Sequence, residues 1–275
     1  MRLSGLHVVT GGGSGIGRGV AHALRGAGAT VAILDSDARA ATSVANEVGG
    51  RSHVVDVGDA GEVDRAFGAL GPIQGLVTCA AVVDVQPIVS LEAASWSRVL
   101  NVQLDGTFFC LRAAARTMLD HGTSGTVVAI TSVNARFGQR GLSAYGAAKA
   151  GTEMLIRTAA LELAQSGIRV NAVAPGIVET EMTAAALADP RFRHEAASHI
   201  PFGRIARPDD IADVVMFLAS TRSRWLTGQV LAADGGVALR VEPKIAADEE
   251  WTRAALRARF SSPSGAVENP ATEDS

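Results

Sequence analysis

Two side chains suited to moving a proton stand four residues apart in this sequence. Tyr145 is the only tyrosine of the chain, and Lys149 is one of only two lysines among its 25 basic residues. Residues at i and i+4 share one face of a helix, so this spacing places a phenol beside an ammonium. A free phenol, with a pKa of about 10, is a poor base at neutral pH, but a nearby positive charge favours the phenolate. The pair therefore predicts a proton acceptor for an alcohol or a proton donor to a carbonyl, although an exposed helical pair would have the same spacing.

A serine upstream of the pair offers a partner for the same reaction. Ser132 lies thirteen residues before the tyrosine and follows the apolar run 126–131, which is typical of a buried strand. Ligands of open parallel sheets bind at the carboxyl ends of strands, so we expect Ser132 and Tyr145 to reach one crevice. The serine hydroxyl would there hydrogen-bond the substrate oxygen and stabilise the charge that develops on it.

A glycine-rich turn near the start of the chain predicts a dinucleotide site. Residues 9–17 read VTGGGSGIG, follow the first predicted strand and open the first predicted helix. Glycine lets the chain turn sharply and lets a pyrophosphate approach the backbone, and free amides at the helix start supply hydrogen-bond donors. Structural turns also collect glycine, so the position between strand and helix is what favours a coenzyme.

Asp35 favours NAD over NADP as that coenzyme. It ends the second predicted strand, eighteen residues after the last glycine of the turn. A carboxylate there accepts hydrogen bonds from both ribose hydroxyls and repels a 2′-phosphate. Arg18 and Arg39 are nearby bases, and neither clearly offsets that repulsion. Helix capping is the alternative role for Asp35, but Ser36 or Asp37 could serve it instead.

Short apolar runs alternate with longer segments of helical periodicity, which predicts βαβ units and a parallel sheet. The strands lack polar alternation because helices cover both of their faces. The predicted strands are 31–34, 75–79, 126–130 and 169–174, and the predicted helices are 16–27, 38–48, 60–70, 91–121, 144–165 and 209–219. The predicted fold class is α/β, a doubly wound parallel sheet (Rossmann fold) forming a single domain over residues 1–240.

The segment 241–275 is predicted to be a C-terminal extension. Within it, residues 251–260 have the pattern of a short amphipathic helix, which either frays or covers a subunit surface or the mouth of the site. Residues 261–275, with two prolines and scattered acids, are predicted to be mobile.

These motifs together resemble those of the short-chain dehydrogenase/reductase family, over residues 5–238. Thr10-Gly11-x-x-x-Gly15-x-Gly17 resembles the family's glycine signature, and Tyr145-x-x-x-Lys149 resembles its active-site motif. The resemblance implies about seven strands, a nicotinamide coenzyme, and a homotetramer joined through the long helices after Leu91 and Ala144.

The resemblance also implies further site residues. In the family, the lysine binds the nicotinamide ribose as well as tuning the tyrosine. Asn101 matches an asparagine that completes the family's catalytic tetrad by holding a relay water, although a buried helix asparagine satisfied by backbone is the alternative. Asp56 and Val57 match a pair that contacts adenine, and residues 175–180 match the segment that cradles the nicotinamide. The full predicted coenzyme set is Gly11, Ser14, Gly15, Ile16, Gly17, Asp35, Asp56, Val57, Cys79, Ala80, Tyr145, Lys149, Pro175, Gly176, Val178 and Thr180.

One departure from the family pattern follows the fourth strand. The family usually has Asn-Asn-Ala-Gly there, and this chain has Thr78-Cys79-Ala80-Ala81. The change removes a side-chain amide that ties the central strands together, which puts Cys79 in doubt as a site residue. Backbone contacts to the coenzyme from Cys79 and Ala80 remain possible.

The composition argues against several other partners. A formal net charge of −3, with the acidic excess in 241–275, gives no reason to expect nucleic acid or an anionic membrane. No apolar stretch has the length of a membrane span or a signal peptide. Two cysteines and six histidines without metal-ligand spacing predict no metal site and a cytoplasmic location.

The sequence thus predicts an NAD-dependent oxidoreductase that interconverts a secondary alcohol and a ketone. Tyr145 is the predicted acid/base, Ser132 positions the oxygen, Lys149 tunes the phenol, and Asn101 supports the relay. Two other functions stay open: an NADPH-dependent 3-oxoacyl-carrier ketoreductase, and an NAD-sensing protein without turnover. We expect the small-molecule substrate to lie between residues 133–142 and a mobile lid at 181–201, and the sequence does not identify it.

Overall fold

Within residues 2–239, the part of the chain that this computed structural model describes, seven strands form one parallel sheet. They are β1 (Leu6–Thr10), β2 (Thr30–Asp35), β3 (Arg51–Val54), β4 (Gly75–Thr78), β5 (Thr126–Ile130), β6 (Arg169–Pro175) and β7 (Val230–Ala233). Their order in the sheet is β3-β2-β1-β4-β5-β6-β7. The predicted Rossmann-type sheet of seven strands is confirmed.

Helices cover both faces of this sheet. They are α1 (Gly15–Gly26), α2 (Ala38–Val48), α3 (Ala60–Gly68), α4 (Ala93–Leu100), α5 (Gly106–Asp120), α6 (Ser143–Leu163), α7 (Glu181–Leu187), α8 (Pro190–His199) and α9 (Pro208–Ala219). On one face, Val9 packs with apolar side chains of α1, α2 and α9, and on the other, Val8 packs with those of α3, α5 and α6. Successive strand residues point to opposite faces, so burial on both sides explains the unbroken apolar runs.

The helix predicted over 91–121 is wrong in one respect, because it is not continuous. Between α4 and α5, residues Asn101–Asp105 form a π-helical turn in which the Gly106 amide donates to the Asn101 carbonyl. A π turn accommodates one residue more than an α turn, and such turns occur frequently at functional sites. The extra residue changes which side chains of this stretch face the core.

The order of the strands places a crevice at the centre of the sheet. β1 pairs with β2 on one side and with β4 on the other, so the chain leaves the ends of β1 and β4 in opposite directions. Ligands of doubly wound sheets bind at such a switch point, beyond the carboxyl ends of the strands. The glycine-rich turn after β1 and the segment after β4 border this crevice.

Helices α7 and α8 occupy the segment predicted to act as a lid. The predicted extension over 241–275, with its helix at 251–260 and mobile end at 261–275, lies outside the described residues. Over residues 2–239, no helix combines the length and the apolar character that crossing a bilayer requires. In the same range, no three His, Cys, Asp or Glu side chains come together in a way that could hold a metal ion.

Candidate active site

A pocket of about 440 Å³ lies at the carboxyl ends of β1, β4, β5 and β6. Of the residues predicted from the sequence, those lining it are Gly11, Ser14, Gly15, Ile16, Gly17, Asp35, Asp56, Val57, Cys79, Ala80, Ser132, Tyr145, Lys149, Pro175, Gly176, Val178 and Thr180. Asn101 is not among the lining residues. One pocket thus brings together the predicted coenzyme set and three of the four predicted catalytic residues.

The glycine-rich turn forms the end of the pocket at the start of α1. Gly11 has a φ of +59°, and a Cβ built on it would lie 2.6 Å from the Ala80 backbone. A Cβ on Gly17 would overlap the Gly11 carbonyl oxygen. Ser14 precedes α1 without capping it through its side chain, so amides at the helix start keep their capacity to bind an anion. This cradle of backbone fits the pyrophosphate of a dinucleotide.

Asp35 lies beside that turn at the end of β2. Its Oδ2 accepts a hydrogen bond from the Gly13 amide at 2.9 Å, and its Oδ1 accepts one from the Asp37 amide at 3.0 Å. Asp37, not Asp35, caps α2, since its side chain accepts from the Arg39 and Ala40 amides. The helix-capping alternative for Asp35 is therefore wrong, and its carboxylate remains at the pocket wall.

Thr180 lines the pocket where the lid begins. It is the N-cap of α7, and its amide donates a hydrogen bond to the Thr183 hydroxyl at 3.0 Å. A Cβ on Gly15 would lie 3.1 Å from the Thr180 methyl group, so the first helix and the lid approach closely here.

Ser132 and Tyr145 meet across the junction of β5 and α6. Ser132 is buried directly after β5, and the half-buried Tyr145 lies in the first turn of α6. The Ser132 hydroxyl lowers the pKa of Tyr145, but burial raises it and has the larger effect. A serine and a tyrosine in this arrangement can hold one substrate oxygen between them.

Lys149 is buried one turn further along α6. Its Nζ donates a hydrogen bond to the Ile130 carbonyl at 2.8 Å and lies 5.6 Å from the centre of the Tyr145 ring. Burial lowers the pKa of this ammonium from 10.5 to about 8, while the neighbouring Cys79 acts weakly in the opposite direction. The predicted phenol–ammonium pair therefore lies inside the pocket, and the alternative of an exposed surface pair is wrong.

The pKa of Tyr145 is shifted in the direction opposite to the one we predicted from the nearby ammonium. We predicted that Lys149 favours phenolate, yet the pKa of Tyr145 is raised above its ordinary value of 10.0. Desolvation disfavours the charged phenolate and is the larger effect, and the group that lowers the pKa of Tyr145 is Ser132, not Lys149. A further positive charge in the pocket would lower the pKa of Tyr145.

Cys79 and Ala80 follow β4 and line the pocket directly beside the glycine-rich turn. Burial raises the pKa of the Cys79 thiol to about 12, so this side chain is neutral. The Cys79 amide donates to the Thr10 carbonyl at 3.0 Å, which ties this segment to β1. Cys79 thus contributes backbone and a small neutral side chain to the pocket wall.

The structure places Asn101 away from the other predicted catalytic residues. Asn101 is exposed at the start of the π turn, and its amide nitrogen occupies the space that a side chain on Gly58 would need. Two residues later, Gln103 is fully buried. Its Nε2 donates to the Val82 carbonyl at 2.8 Å, and its main-chain carbonyl accepts from Thr152 on α6. Gln103, which we did not predict, therefore connects the pocket wall to the helix that carries Lys149.

A signal for Gln103 was present in the sequence. Val99, Gln103, Thr107 and Cys110 recur at spacings of four, four and three, which is the pattern of one buried helix face. Asn101 does not belong to that face. A glutamine in a stripe of apolar or small residues needs a buried hydrogen-bond partner. The side-chain oxygen of Gln103, Oε1, is buried and has no such partner among the described residues.

Comparison with known proteins identifies the family. A family model described as "Enoyl-(Acyl carrier protein) reductase" matches residues 11–238. The chain is 40% identical over 239 residues to cis-4-hydroxycyclohexanecarboxylate dehydrogenase of Sinomonas cyclohexanicum, which covers 83% of this chain and 94% of that protein. The chain belongs to the short-chain dehydrogenase/reductase family. Its members are oxidoreductases that act on hydroxyl or keto groups with a nicotinamide coenzyme.

Further relatives of this short-chain dehydrogenase/reductase differ in the substrate that their names give. Human (3R)-3-hydroxyacyl-CoA dehydrogenase is 36% identical over 251 residues, covering 85% of this chain and 95% of its own. A short-chain type dehydrogenase/reductase from Mycobacterium ulcerans superposes with a TM-score of 0.84 at 34% identity, covering 94% of this chain and 99% of its own. A putative 2-deoxy-D-gluconate 3-dehydrogenase from Agrobacterium tumefaciens, with bound NADP, superposes with a TM-score of 0.79 at 32% identity. This match covers 86% of this chain and 96% of that protein.

Proposed function

We propose that this protein is an NAD-dependent oxidoreductase that interconverts a secondary alcohol and a ketone. The observation that supports this most strongly is the presence of Ser132, Tyr145 and Lys149 in one pocket with the glycine-rich turn and Asp35. A bound nicotinamide coenzyme would supply the hydride acceptor or donor. The chain's own residues then need only orient the substrate oxygen and move its proton.

Tyr145 would exchange that proton, and Ser132 would hold the oxygen. Because burial raises the pKa of the phenol, Tyr145 is protonated at neutral pH, the form that donates to a carbonyl. Alcohol oxidation requires the phenolate, and the hydrogen bond from Ser132 and any positive charge beside the ring favour it. The Ser132 hydroxyl would stabilise the charge that develops on the substrate oxygen.

Lys149 would hold a coenzyme ribose and keep positive charge near the phenol. Its hydrogen bond to the Ile130 carbonyl fixes the ammonium at the end of β5, beside Tyr145. Asn101 was predicted to support a proton relay from this lysine. Since the Asn101 amide lies against Gly58, we instead assign support of the contact between the π turn and α6, next to Lys149, to Gln103.

Asp35 supports NAD as the coenzyme. Its carboxylate is fixed by the Gly13 and Asp37 amides and lines the pocket. A 2′-phosphate close to this negative charge would be repelled, whereas two ribose hydroxyls would find an acceptor. The neighbouring base Arg18 is engaged by Glu47 at 3.0 Å, so it does not stand free to receive a phosphate.

An NADPH-dependent reductase of acyl thioesters is the second candidate. It is favoured by the description of the matching family model and by the name of the human relative. The two candidates differ in coenzyme and in substrate, so one experiment separates them. The purified chain is assayed against secondary alcohols, including cyclic hydroxy acids, with NAD and NADP, and against 3-oxoacyl thioesters with NADH and NADPH.

Three outcomes of this assay differ in meaning. Formation of NADH from an alcohol supports our proposal. Consumption of NADPH with a 3-oxoacyl thioester, without NAD activity, supports the second candidate. Tight NAD binding with no turnover of any substrate would indicate the third function we considered, coenzyme sensing.

We further propose a homotetramer joined through α4–α6. Large apolar side chains are exposed on these helices, including Trp96 on α4, Phe108 on α5, and Met154 and Leu161 on α6. Leu161 is 83% exposed, and a surface of this kind is typical of a subunit contact. Light scattering coupled to gel filtration measures the mass directly, and a monomer would contradict the proposal.

We propose a cytoplasmic location on the evidence of the thiols. Cys79 and Cys110 are the only cysteines of the chain and are both free. Unpaired buried thiols are typical of a reducing compartment. Cell fractionation tests this location.

A further inference from the structure

A buried carboxylate outside the proposed catalytic set joins two structural elements of the site. Glu153 lies on α6, one turn beyond Lys149, and is 3% exposed. Its Oε2 contacts Arg136 Nε at 3.2 Å and Arg157 Nη2 at 3.0 Å. Arg157 belongs to α6 itself, but Arg136 lies in the loop that follows Ser132. Of these two ion pairs, only the one with Arg136 therefore connects that loop to α6.

The cost of burying the Glu153 carboxylate indicates that its ion pairs position the loop more than they stabilise the fold. Taking a carboxylate out of water costs free energy that its ion pairs only partly return. Both arginines here are half-exposed and share a single oxygen, while the other oxygen, Oε1, has no partner among the described residues. A carboxylate buried at this cost, with one oxygen unused, is a poor stabiliser but fixes the position of the loop.

The other end of the same loop carries the predicted catalytic serine. Ser132 caps a 3-10 turn, Val133–Ala135, by accepting a hydrogen bond from the Asn134 amide at 3.1 Å. The Arg136 amide closes this turn by donating to the Val133 carbonyl at 3.0 Å. Arg136, whose guanidinium Glu153 holds, is therefore the fourth residue after Ser132, and the turn between them is hydrogen-bonded at both ends.

The turn also rests on the first turn of α6, next to Tyr145. A Cβ on Gly146 would lie 3.1 Å from the Asn134 carbonyl oxygen, so the two backbones approach closely. The turn thus contacts α6 at two points, Gly146 and Glu153, which are two helical turns apart. Two contacts of this kind fix both the distance and the angle of the turn relative to the helix that carries the phenol.

We propose that the Arg136–Glu153 ion pair is a clamp that sets the position of Ser132 relative to Tyr145. Arg136 and Glu153 are positioning residues in this proposal, which rests on the proposed function for its catalytic consequence. Without the clamp, the turn would keep its contact at Gly146 but could rotate about it. Small displacements of a group that holds the reacting oxygen are costly, because proximity and orientation supply much of the rate.

The variants Arg136→Gln and Glu153→Gln test the clamp, with Arg157→Gln as the matched control. Arg157 pairs with the same oxygen at a similar distance, yet it does not reach the loop. Because the Arg136 side chain is half-exposed, we expect Arg136→Gln to fold, so this variant still tests the clamp if Glu153→Gln does not fold. Arg136→Lys retains a positive charge and should restore much of the function.

The first measurement is hydrogen exchange of the amides in residues 134–137, which does not depend on activity. We expect faster exchange in Arg136→Gln and Glu153→Gln, and exchange like that of the unaltered chain in Arg157→Gln. Unchanged exchange in the two clamp variants, or equal acceleration in Arg157→Gln, would overturn the clamp.

The second measurement is steady-state kinetics with an alcohol that the unaltered chain oxidises. We expect kcat to fall about tenfold in the clamp variants with KM for NAD unchanged, since the coenzyme contacts lie elsewhere in the pocket. Faster exchange with unaltered kcat would overturn the positioning role. Faster exchange in a chain that oxidises no alcohol would support the clamp on the turn and contradict the proposed function.

Discussion

The Lys149 ammonium lies 5.6 Å from the centre of the Tyr145 ring, and it donates its hydrogen bond to the main chain at Ile130. The lysine is thus held by the end of β5 and acts on the phenol only through space. Because both groups are buried, each loses hydration, and the pKa of the phenol rises while the pKa of the ammonium falls. Their environment favours the neutral form of both groups and makes the pair sensitive to any charge that enters the pocket.

Replacing the phenol tests the proposed acid/base. We expect Tyr145→Phe to lower kcat by about a hundredfold to ten-thousandfold, because the variant keeps the ring and loses only the group that exchanges the proton. NADH binding, followed by fluorescence, should change little. Full activity in this variant would contradict the assignment of Tyr145.

The coenzyme preference depends on Asp35. We expect Asp35→Ala to raise the ratio of kcat/KM for NADP to that for NAD by about tenfold or more, because the repulsion of a 2′-phosphate is removed. Asp37→Ala is the matched control: it removes a neighbouring carboxylate that caps α2 and does not line the pocket. An unaltered chain that already prefers NADP would show that our account of Asp35 is wrong.

The buried ammonium predicts an unusual dependence of stability on pH. Between a folded pKa of about 8 and an ordinary value of 10.5, the unfolded chain holds a proton that the folded protein has lost, so this group makes stability rise with pH. Below that window both states hold the proton, and the folded state bears the full cost of the buried charge. We expect Lys149→Met to be more stable than the unaltered chain by about 1 to 3 kcal/mol near pH 7, while losing turnover.

The stability advantage of Lys149→Met over the unaltered chain should shrink as the pH rises, because Lys149 of the unaltered chain becomes neutral. Thermal unfolding of both chains at about pH 7 and about pH 9 measures the difference. If the two chains differ in free energy of unfolding by the same amount at both pH values, the charge of Lys149 is not the cause of the difference in stability.

Gln103 and Asn101 offer a direct comparison of two amides. We expect Gln103→Met, which preserves side-chain volume, to lower kcat about tenfold, since it removes the hydrogen bond to Val82 at the pocket wall. Asn101→Ala should leave kcat within about twofold, because its amide lies at the surface against Gly58. The reverse order of effects would restore Asn101 to the relay.

The two thiols should resist alkylation in the folded protein. Burial raises the pKa of both Cys79 and Cys110 to about 12, and the thiolate is the reactive form. We expect iodoacetamide at mildly alkaline pH to modify neither residue until the chain is denatured, as followed by mass spectrometry. Rapid modification of Cys79 in the native protein would show that its environment is more polar than the structure indicates.

The central strands and the glycine-rich turn could be predicted from local patterns, because burial on both faces leaves long apolar runs. The edge strands β3 and β7 could not, since each has four residues and is only partly covered, which weakens the apolar pattern. Gln103 was missed although it continues the buried face at helical spacing, because burial of a glutamine depends on a partner in another segment, here the Val82 carbonyl. The contact between Arg136 and Glu153 joins residues seventeen apart on different elements, and no local spacing indicates it.

The strand order also constrains when a growing chain can first bind its coenzyme. β1 acquires its second neighbour only when residues 75–78 have been synthesised, and Lys149 and Thr180 follow still later. A polypeptide emerging from the ribosome must therefore keep most of its central sheet without help from a ligand. Coenzyme in the cell can protect the finished protein against degradation, but its complete pocket exists only once residues through Thr183 have been synthesised.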